Sequence, residues 1–285
     1  MSSRPVRHRV IRAVSAATLV LGTALAVPLT LAGTAGAAPS SATAEVNQYD
    51  WKLFYTAAAG QTNKATVTAS LTADRTGFIY VIDDVVPITA GHDCAYPDSA
   101  DHTKVSCTVT SVESQDPYPA LAMDLGDGND TVAYENNTDQ VYSYAQILLG
   151  AGNDKATDSG SLDGAYVSGQ AGNDTISVGK VGLAWGGDGS DTISASGGDN
   201  IVMGGKGNDV LRGGSGGQYL NGDDGNDAIY GGTGDDTLNG GKGNDLMYGN
   251  SGNDRMYGNS GDDKLYGGPG RDVLSGGPGR NVVHQ

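Results

Sequence analysis

Between Gly186 and His284 a carboxylate returns on a nine-residue schedule, and each one sits in a glycine-rich stretch just ahead of a single large apolar side chain. Aspartate fills the sixth place of eight nonapeptides out of eleven: Asp191, Asp209, Asp227, Asp236, Asp245, Asp254, Asp263 and Asp272. A carboxylate among flexible main-chain carbonyls is a set of hard oxygen donors. Calcium takes six to eight such oxygens at about 2.3–2.6 Å, whereas magnesium demands a tighter octahedral shell. The loops hold neither histidine nor cysteine, which disfavours zinc. The chemistry that this pattern offers is calcium binding, many times over.

The carriers of those carboxylates are legible in the same period. Nonapeptides begin at Gly186, Ala195, Gly204, Gly213, Gly222, Gly231, Gly240, Gly249, Gly258, Gly267 and Gly276 without a break in register. Position 4 is glycine in all eleven, and position 8 is always apolar, from Ile193 and Val202 through Leu265 to Leu274 and Val283. The first six positions form a loop and the last three a short strand. Glycine at positions 1 and 4 permits positive φ and close backbone approach. Position 2 is Gly, Asp, Asn or Ser, types that tolerate the left-handed region or bond their own backbone. A flexible linker would not hold one apolar residue in phase over such a length.

The stretches "GGTGDDTLN" and "GGKGNDLMY" resemble the glycine–aspartate nonapeptide of the RTX, or haemolysin-type, calcium-binding family. The resemblance is strong over 186–284, partial over 125–177, and does not cover 38–113. It implies an all-β chain: a right-handed parallel β-roll, a β-helix of calcium-binding nonapeptides, preceded by a small β-rich N-terminal region. Calcium would lie between loops of successive coils, each ion using the aspartates of two neighbouring loops on one side. Two nonapeptides per coil then sort the sixth positions into two columns. One runs Asp191, Asp209, Asp227, Asp245, Asp263 and Asn281; the other runs Asn200, Gln218, Asp236, Asp254 and Asp272. The expected sites are 191/209, 209/227, 227/245, 245/263, 236/254 and 254/272, with 200/218 weak or empty. Upstream, "LGDGNDTVA", "LGAGNDKAT" and "GQAGNDTIS" place Asp130, Asp154 and Asp174 at gaps of 24, 20 and 17 residues before Asp191. Each gap is close to two nonapeptides, so these three extend the first column. Position 9 adds Arg212, Tyr230, Tyr248, Tyr266 and His284 along the same side. They read as cover for neighbouring rungs in preference to a carbohydrate-binding strip.

The remainder of the chain divides by composition. Residues 1–37 carry Arg4, Arg7, Arg9 and Arg12, an apolar run and a small-residue "AGAA" site, the pattern of a cleaved secretory leader. Residues 38–119 read as a small β-rich domain, with strands over "KATVTASLTA", "GFIYVIDDVV" and "KVSCTVTSVE"; the first irregular coils of the repeat structure are the other reading. Residues 120–185 read as irregular coils with degenerate repeats, and 186–285 as the regular roll. Cys94 and Cys107 are the only cysteines, and in an exported chain this spacing suggests a disulfide. The leader and the calcium chemistry together place the protein outside the cell, with no transmembrane segment in its mature form.

Composition narrows the function. There are 46 glycines against two phenylalanines and two tryptophans, and the formal charge is −16. Without the leader's four arginines, 13 basic residues face 33 acidic ones, a formal −20. Such a chain repels nucleic acid and repels itself when compact unless cations neutralise it. One large apolar group per nine residues is a thin core, so bound metal is expected to supply what packing does not. The chain is expected to stay unfolded where calcium is scarce and to condense outside the cell at about 10⁻⁴–10⁻³ M. "GGSGG" at Gly213–Gly217 matches a G-x-S-x-G elbow only formally, because the repeat register explains every glycine and no histidine partner is evident. No H-E-x-x-H is present. His92, Asp93, Asp98, Asp101 and His102 read as a solvated loop. A non-enzymatic secreted calcium-binding protein is the favoured reading. Its rivals are an adhesion module holding cell-envelope polysaccharide or protein, with the roll as spacer, and a lytic or hydrolytic exoprotein.

Overall fold

The computed structural model describes residues 41–111, 118–138, 143–159 and 165–285. The leader expected over 1–37 lies outside them. The described residues form strands and turns with no helix. Among the described residues seven strands precede the roll: β1 (Ala42–Val46), β2 (Leu53–Thr56), β3 (Lys64–Leu71), β4 (Gly77–Asp83), β5 (Ile88–Ala90), β6 (Cys94–Ala95) and β7 (Lys104–Thr110). β3, β4 and β7 fall in the three segments whose β-branched alternation predicts strands. The disulfide Cys94–Cys107 joins β6 to β7, at a pair of directly opposed residues.

From β8 (Tyr118–Asp124) and β9 (Thr131–Asn136) onward the chain alternates between two sheets. The first sheet continues through β10 (Ser143–Ala151), β12 (Tyr166–Ala171), β14 (Leu183–Asp188), β16 (Asn200–Lys206), β18 (Gln218–Asp224), β20 (Thr237–Lys242), β22 (Arg255–Ser260) and β24 (Val273–Ser275). The second continues through β11 (Lys155–Asp158), β13 (Thr175–Val178), β15 (Thr192–Ala195), β17 (Val210–Arg212), β19 (Ala228–Thr233), β21 (Leu246–Ser251), β23 (Lys264–Tyr266) and β25 (Val282–His284). All these rungs pair in parallel, so the result is a parallel β-solenoid, a β-roll. The register is fixed by the repeat: Ile193 stands beside Leu211, Leu211 beside Ile229, and Leu220 beside Leu238.

The apolar residue of each strand points inward. Ile193, Val202, Leu211, Leu220, Ile229, Leu238, Met247, Met256 and Leu265 are fully buried. A one-residue slip would turn each to solvent, which is why nine residues are kept without insertion. The column thins at the last rung, where Val283 is 44% exposed. At the other end β2 pairs in parallel with β8 and β3 with β9, so both ladders run on into the strand-rich N-terminal region. Antiparallel pairs β1–β2, β3–β4, β4–β7 and β6–β7 and the parallel pair β1–β5 complete that end. It buries the larger side chains Tyr55, Phe78, Leu53, Ile82 and Ile88.

Candidate metal centre

Every sixth position lies at the loop-to-strand junction, and the sixth positions of successive coils stack. The second sheet's strands follow the first column; the first sheet's strands follow the second. In the first column each aspartate after Asp130 receives the main-chain N–H of the aspartate one coil earlier. Asp154 Oδ1 accepts from Asp130 at 2.7 Å, Asp174 from Asp154 at 2.8 Å and Asp191 from Asp174 at 2.7 Å. Asp209, Asp227, Asp245 and Asp263 continue the series at 2.8, 2.7, 2.9 and 3.0 Å. The second column repeats it from Gln218 through Asp236 and Asp254 to Asp272. All eleven aspartates expected from the sequence therefore stand in two columns.

One carboxylate oxygen per residue is thus occupied. The other, Oδ2, is buried without a hydrogen-bond partner at Asp130, Asp154, Asp174, Asp191, Asp209, Asp227, Asp236, Asp245, Asp254 and Asp263. These residues are at most 2% exposed. A buried carboxylate with no compensating charge costs several kcal/mol. The carboxyls respond accordingly: burial pushes Asp191, Asp227 and Asp236 up to about 7, and Asp154, Asp209 and Asp245 up to about 6. Burial likewise raises Asp130, Asp174, Asp254 and Asp263. Neighbouring aspartates add to the shift at several of them, Asp191 and Asp227 among these.

Main-chain oxygen lies beside the orphaned atom wherever position 1 is glycine. A Cβ built on Gly231 would meet Asp236 Oδ2 at 2.6 Å and the Gly249 carbonyl oxygen, one coil on, at 2.7 Å. The same collision recurs at Gly186, Gly204, Gly222 and Gly240, so position 1 is glycine because a Cβ there would overlap the carboxylate and carbonyl oxygens. Glycine at position 2 takes positive φ, as at Gly187 and Gly241, and so do Asp223, Asn250 and Asn259 in the same place. Acceptor-only oxygens, carboxylate and carbonyl, with no donor between them fit a calcium ion.

Asn200, Gln218 and Asn281 show the alternative. Asn200 Oδ1 accepts the Gly182 N–H at 2.5 Å, and its Nδ2 donates to the carbonyls of Ser196 and Gly197 at 3.2 and 3.1 Å. Gln218 Nε2 donates to Gly197, Ser215 and Gly216 carbonyls, and Asn281 Nδ2 to Gly277 at 2.8 Å. The amide hydrogens turn to the loop carbonyls that a cation would otherwise gather. Replacing the amides, as Asn200→Asp with Gln218→Asp, is therefore expected to raise the number of calcium ions bound above wild type. Equilibrium dialysis measures this, and an unchanged count would mean the amides are not what keeps metal out.

A further ladder flanks the carboxylates. At position 5, Asn129 Oδ1 accepts the Asn153 N–H at 2.7 Å, Asn153 that of Asn173 at 2.8 Å, and Asn173 that of Ser190 at 2.7 Å. Asn208, Asn226 and Asn244 carry it to Asp262, which pairs with Arg280. Sequence reasoning missed this role, although the recurring "GND" was its visible trace.

A protein-family model, the RTX calcium-binding nonapeptide repeat, matches four times, over 185–220, 212–247, 221–256 and 248–283. Residues 185–283 are RTX calcium-binding repeats. The protein is accordingly a calcium-binding one. No curated protein matches the chain. The RTX geometry reaches further than the match, since Asp130, Asp154 and Asp174 make the same hydrogen bonds as the matched aspartates. On the RTX second sheet, Tyr230, Tyr248, Tyr266 and His284 stack at 5.4, 5.0 and 5.4 Å between ring centroids, their planes nearly parallel, with Arg212 over Tyr230. That stacking supports neighbouring rungs. Outside the repeats, Asp50, His92 and Asp93 bring ligand atoms within 4.8 Å of one another, on residues open to solvent. Asp98 and Asp101 accept turn N–H groups, and His102 stacks on Tyr96.

Proposed function

We propose that this is a secreted, non-enzymatic protein whose roll folds when calcium reaches it outside the cell. The observation that carries this reading is the stack of buried, unpaired Oδ2 atoms in two columns. A chain that concentrates acceptor-only oxygens in its interior is built to be completed by a cation. The expected ligands are the carboxylates of Asp130, Asp154, Asp174, Asp191, Asp209, Asp227, Asp245 and Asp263 on one side and of Asp236, Asp254 and Asp272 on the other. Loop carbonyls complete each shell, and each interior aspartate serves the ion above and the ion below. The leader-like N-terminus and the Cys94–Cys107 disulfide favour an oxidising, extracellular setting, where calcium suffices to fill such loops. Among the described residues no helix is long and apolar enough to cross a membrane. The non-enzymatic reading draws on the use of the acids as structural ligands.

Asp245 serves two expected sites, with Asp227 and with Asp263. Asp245→Ala is therefore expected to bind two fewer ions than wild type, and Asn200→Ala none fewer. Native mass spectrometry with calcium reads both counts. Equal losses in the two variants would remove the assignment of ligands to the columns.

A further inference from the structure

The first column does not begin at Asp130. Asn63 stands one coil above it: its N–H donates to Asp130 Oδ1 at 2.6 Å, as each aspartate's N–H does to the next. Lys64, directly after it, pairs with Thr131 as Thr131 pairs with Lys155. Two residues before Asn63, the Gln61 carbonyl oxygen faces Gly128, the place that the Gly128 carbonyl takes over Gly152. The loop 58–63 thus supplies a position-4 carbonyl and a position-6 side chain to the head of the ladder, although the repeat motif is unreadable there.

The side chain of Asn63 is locked. Its Nδ2 donates to Asp84 Oδ2 at 2.8 Å and to the Tyr55 phenol oxygen at 3.0 Å, while the Tyr55 hydroxyl donates to Asp84 Oδ2 at 2.5 Å. Asp84 Oδ1 takes the N–H groups of Lys64 and Val85 at 2.7 and 2.6 Å. Asp84 can only accept and the phenol oxygen has a lone pair to fill, so the amide cannot be turned around. Asn63 Oδ1 is left on the other side, on a residue 1% exposed, with no partner. Asp130 Oδ2 below it is equally buried and equally alone.

We infer a calcium site at the head of the first ladder, between loop 58–63 and loop 125–130, with Asn63 Oδ1 and Asp130 Oδ2 as ligands. Asp84 and Tyr55 are positioning residues that hold the amide oxygen toward the ion. The inference rests on the calcium reading of the columns and adds a site outside the repeats. It ties the ladder to the strand-rich region, where β3 and β4 carry a larger apolar core. With a neutral amide in place of one carboxylate, the site carries less charge than those below, and ligand charge tunes calcium affinity. It is expected to fill last in a titration.

Two measurements test it. Calcium-soaked crystals of the wild-type protein are expected to show an anomalous peak bridging Asn63 and Asp130, and Asn63→Ala is expected to bind one ion fewer by native mass spectrometry. Peaks along the column below Asp130 with none beside Asn63, or only a water there, would overturn the head site and leave the ladder reading intact. An unchanged ion count in Asn63→Ala would do the same. No calcium anywhere would sink both readings at once. If Asn63→Ala does not fold, the wild-type map alone decides.

Discussion

Stripping calcium from the intact protein at neutral pH is expected to unfold the roll while the disulfide-bearing strands of residues 41–111 persist. The roll holds ten aspartates whose second oxygen is buried and unpaired. One such stranded charge costs several kcal/mol, against a whole-domain stability of about 5–15 kcal/mol. Even after partial protonation and water entry, ten of them exceed what one fully buried apolar side chain per nonapeptide returns, at about 1.5–3 kcal/mol each against backbone ordering of every residue. The strand-rich end carries no such load: Tyr55, Phe78, Leu53, Ile82 and Ile88 are buried there, and the Cys94–Cys107 link restricts its unfolded chain. Far-UV circular dichroism should lose most of its β signal in chelator and regain it near millimolar calcium. Small-angle scattering should show the released segment expanding towards a radius of gyration on the order of 40 Å. A chelated protein that keeps its β signal and melts cooperatively at the holo temperature would reject calcium-dependent folding.

The columns were legible in the sequence because one physical demand acts on each of them. Position 8 must be apolar since its side chain is sealed in, as Leu211 and Met247 are. Position 4 must be glycine because the carbonyl one coil away leaves no room for a Cβ, as Gly207 shows against Gly189. Position 6 needs a carboxylate where a cation is to be held. Other features were hidden because the demand on them is weaker. Position 5 needs only a short side chain with an acceptor, so Asn208, Ser190 and Asp262 all serve, and the column shows no single letter. The head of the ladder was hidden for the opposite reason. Asn63 does a sixth-position job with none of the flanking glycines at positions 1, 2 and 4, since Gly126 below has open space over it. Only the shared "KAT" of residues 64–66 and 155–157 betrayed the common register. The strands β1, β2, β5 and β6 have no period at all, and β2 and β5 take parallel partners far away in sequence, β8 and β1.

Acid should do for the metal-free roll part of what calcium does. The unfolded carboxyl titrates near 3.9, whereas in the folded roll burial raises Asp191, Asp227 and Asp236 to about 7 and Asp154, Asp209 and Asp245 to about 6. A raised folded pKa means that the folded state binds protons more tightly than the unfolded one. Its stabilising contribution is fully present below about pH 4 and is lost as pH climbs through 6 and 7. Metal-stripped protein is therefore expected to gain β structure and thermal stability when taken from pH 7.5 to about 4. With calcium saturating, the sign reverses. Protons compete with the ion for the same oxygens, so calcium affinity should fall over that window and the melting temperature with it. The two curves should cross, with protonated carboxyls holding the roll on the acid side and metal-bound carboxylates on the neutral side. Asp236→Asn should flatten the metal-free curve slightly, because an amide needs no proton to be buried, and should weaken calcium binding at neutral pH. Parallel pH curves with and without calcium would show that the buried carboxylates do not govern the stability of the roll.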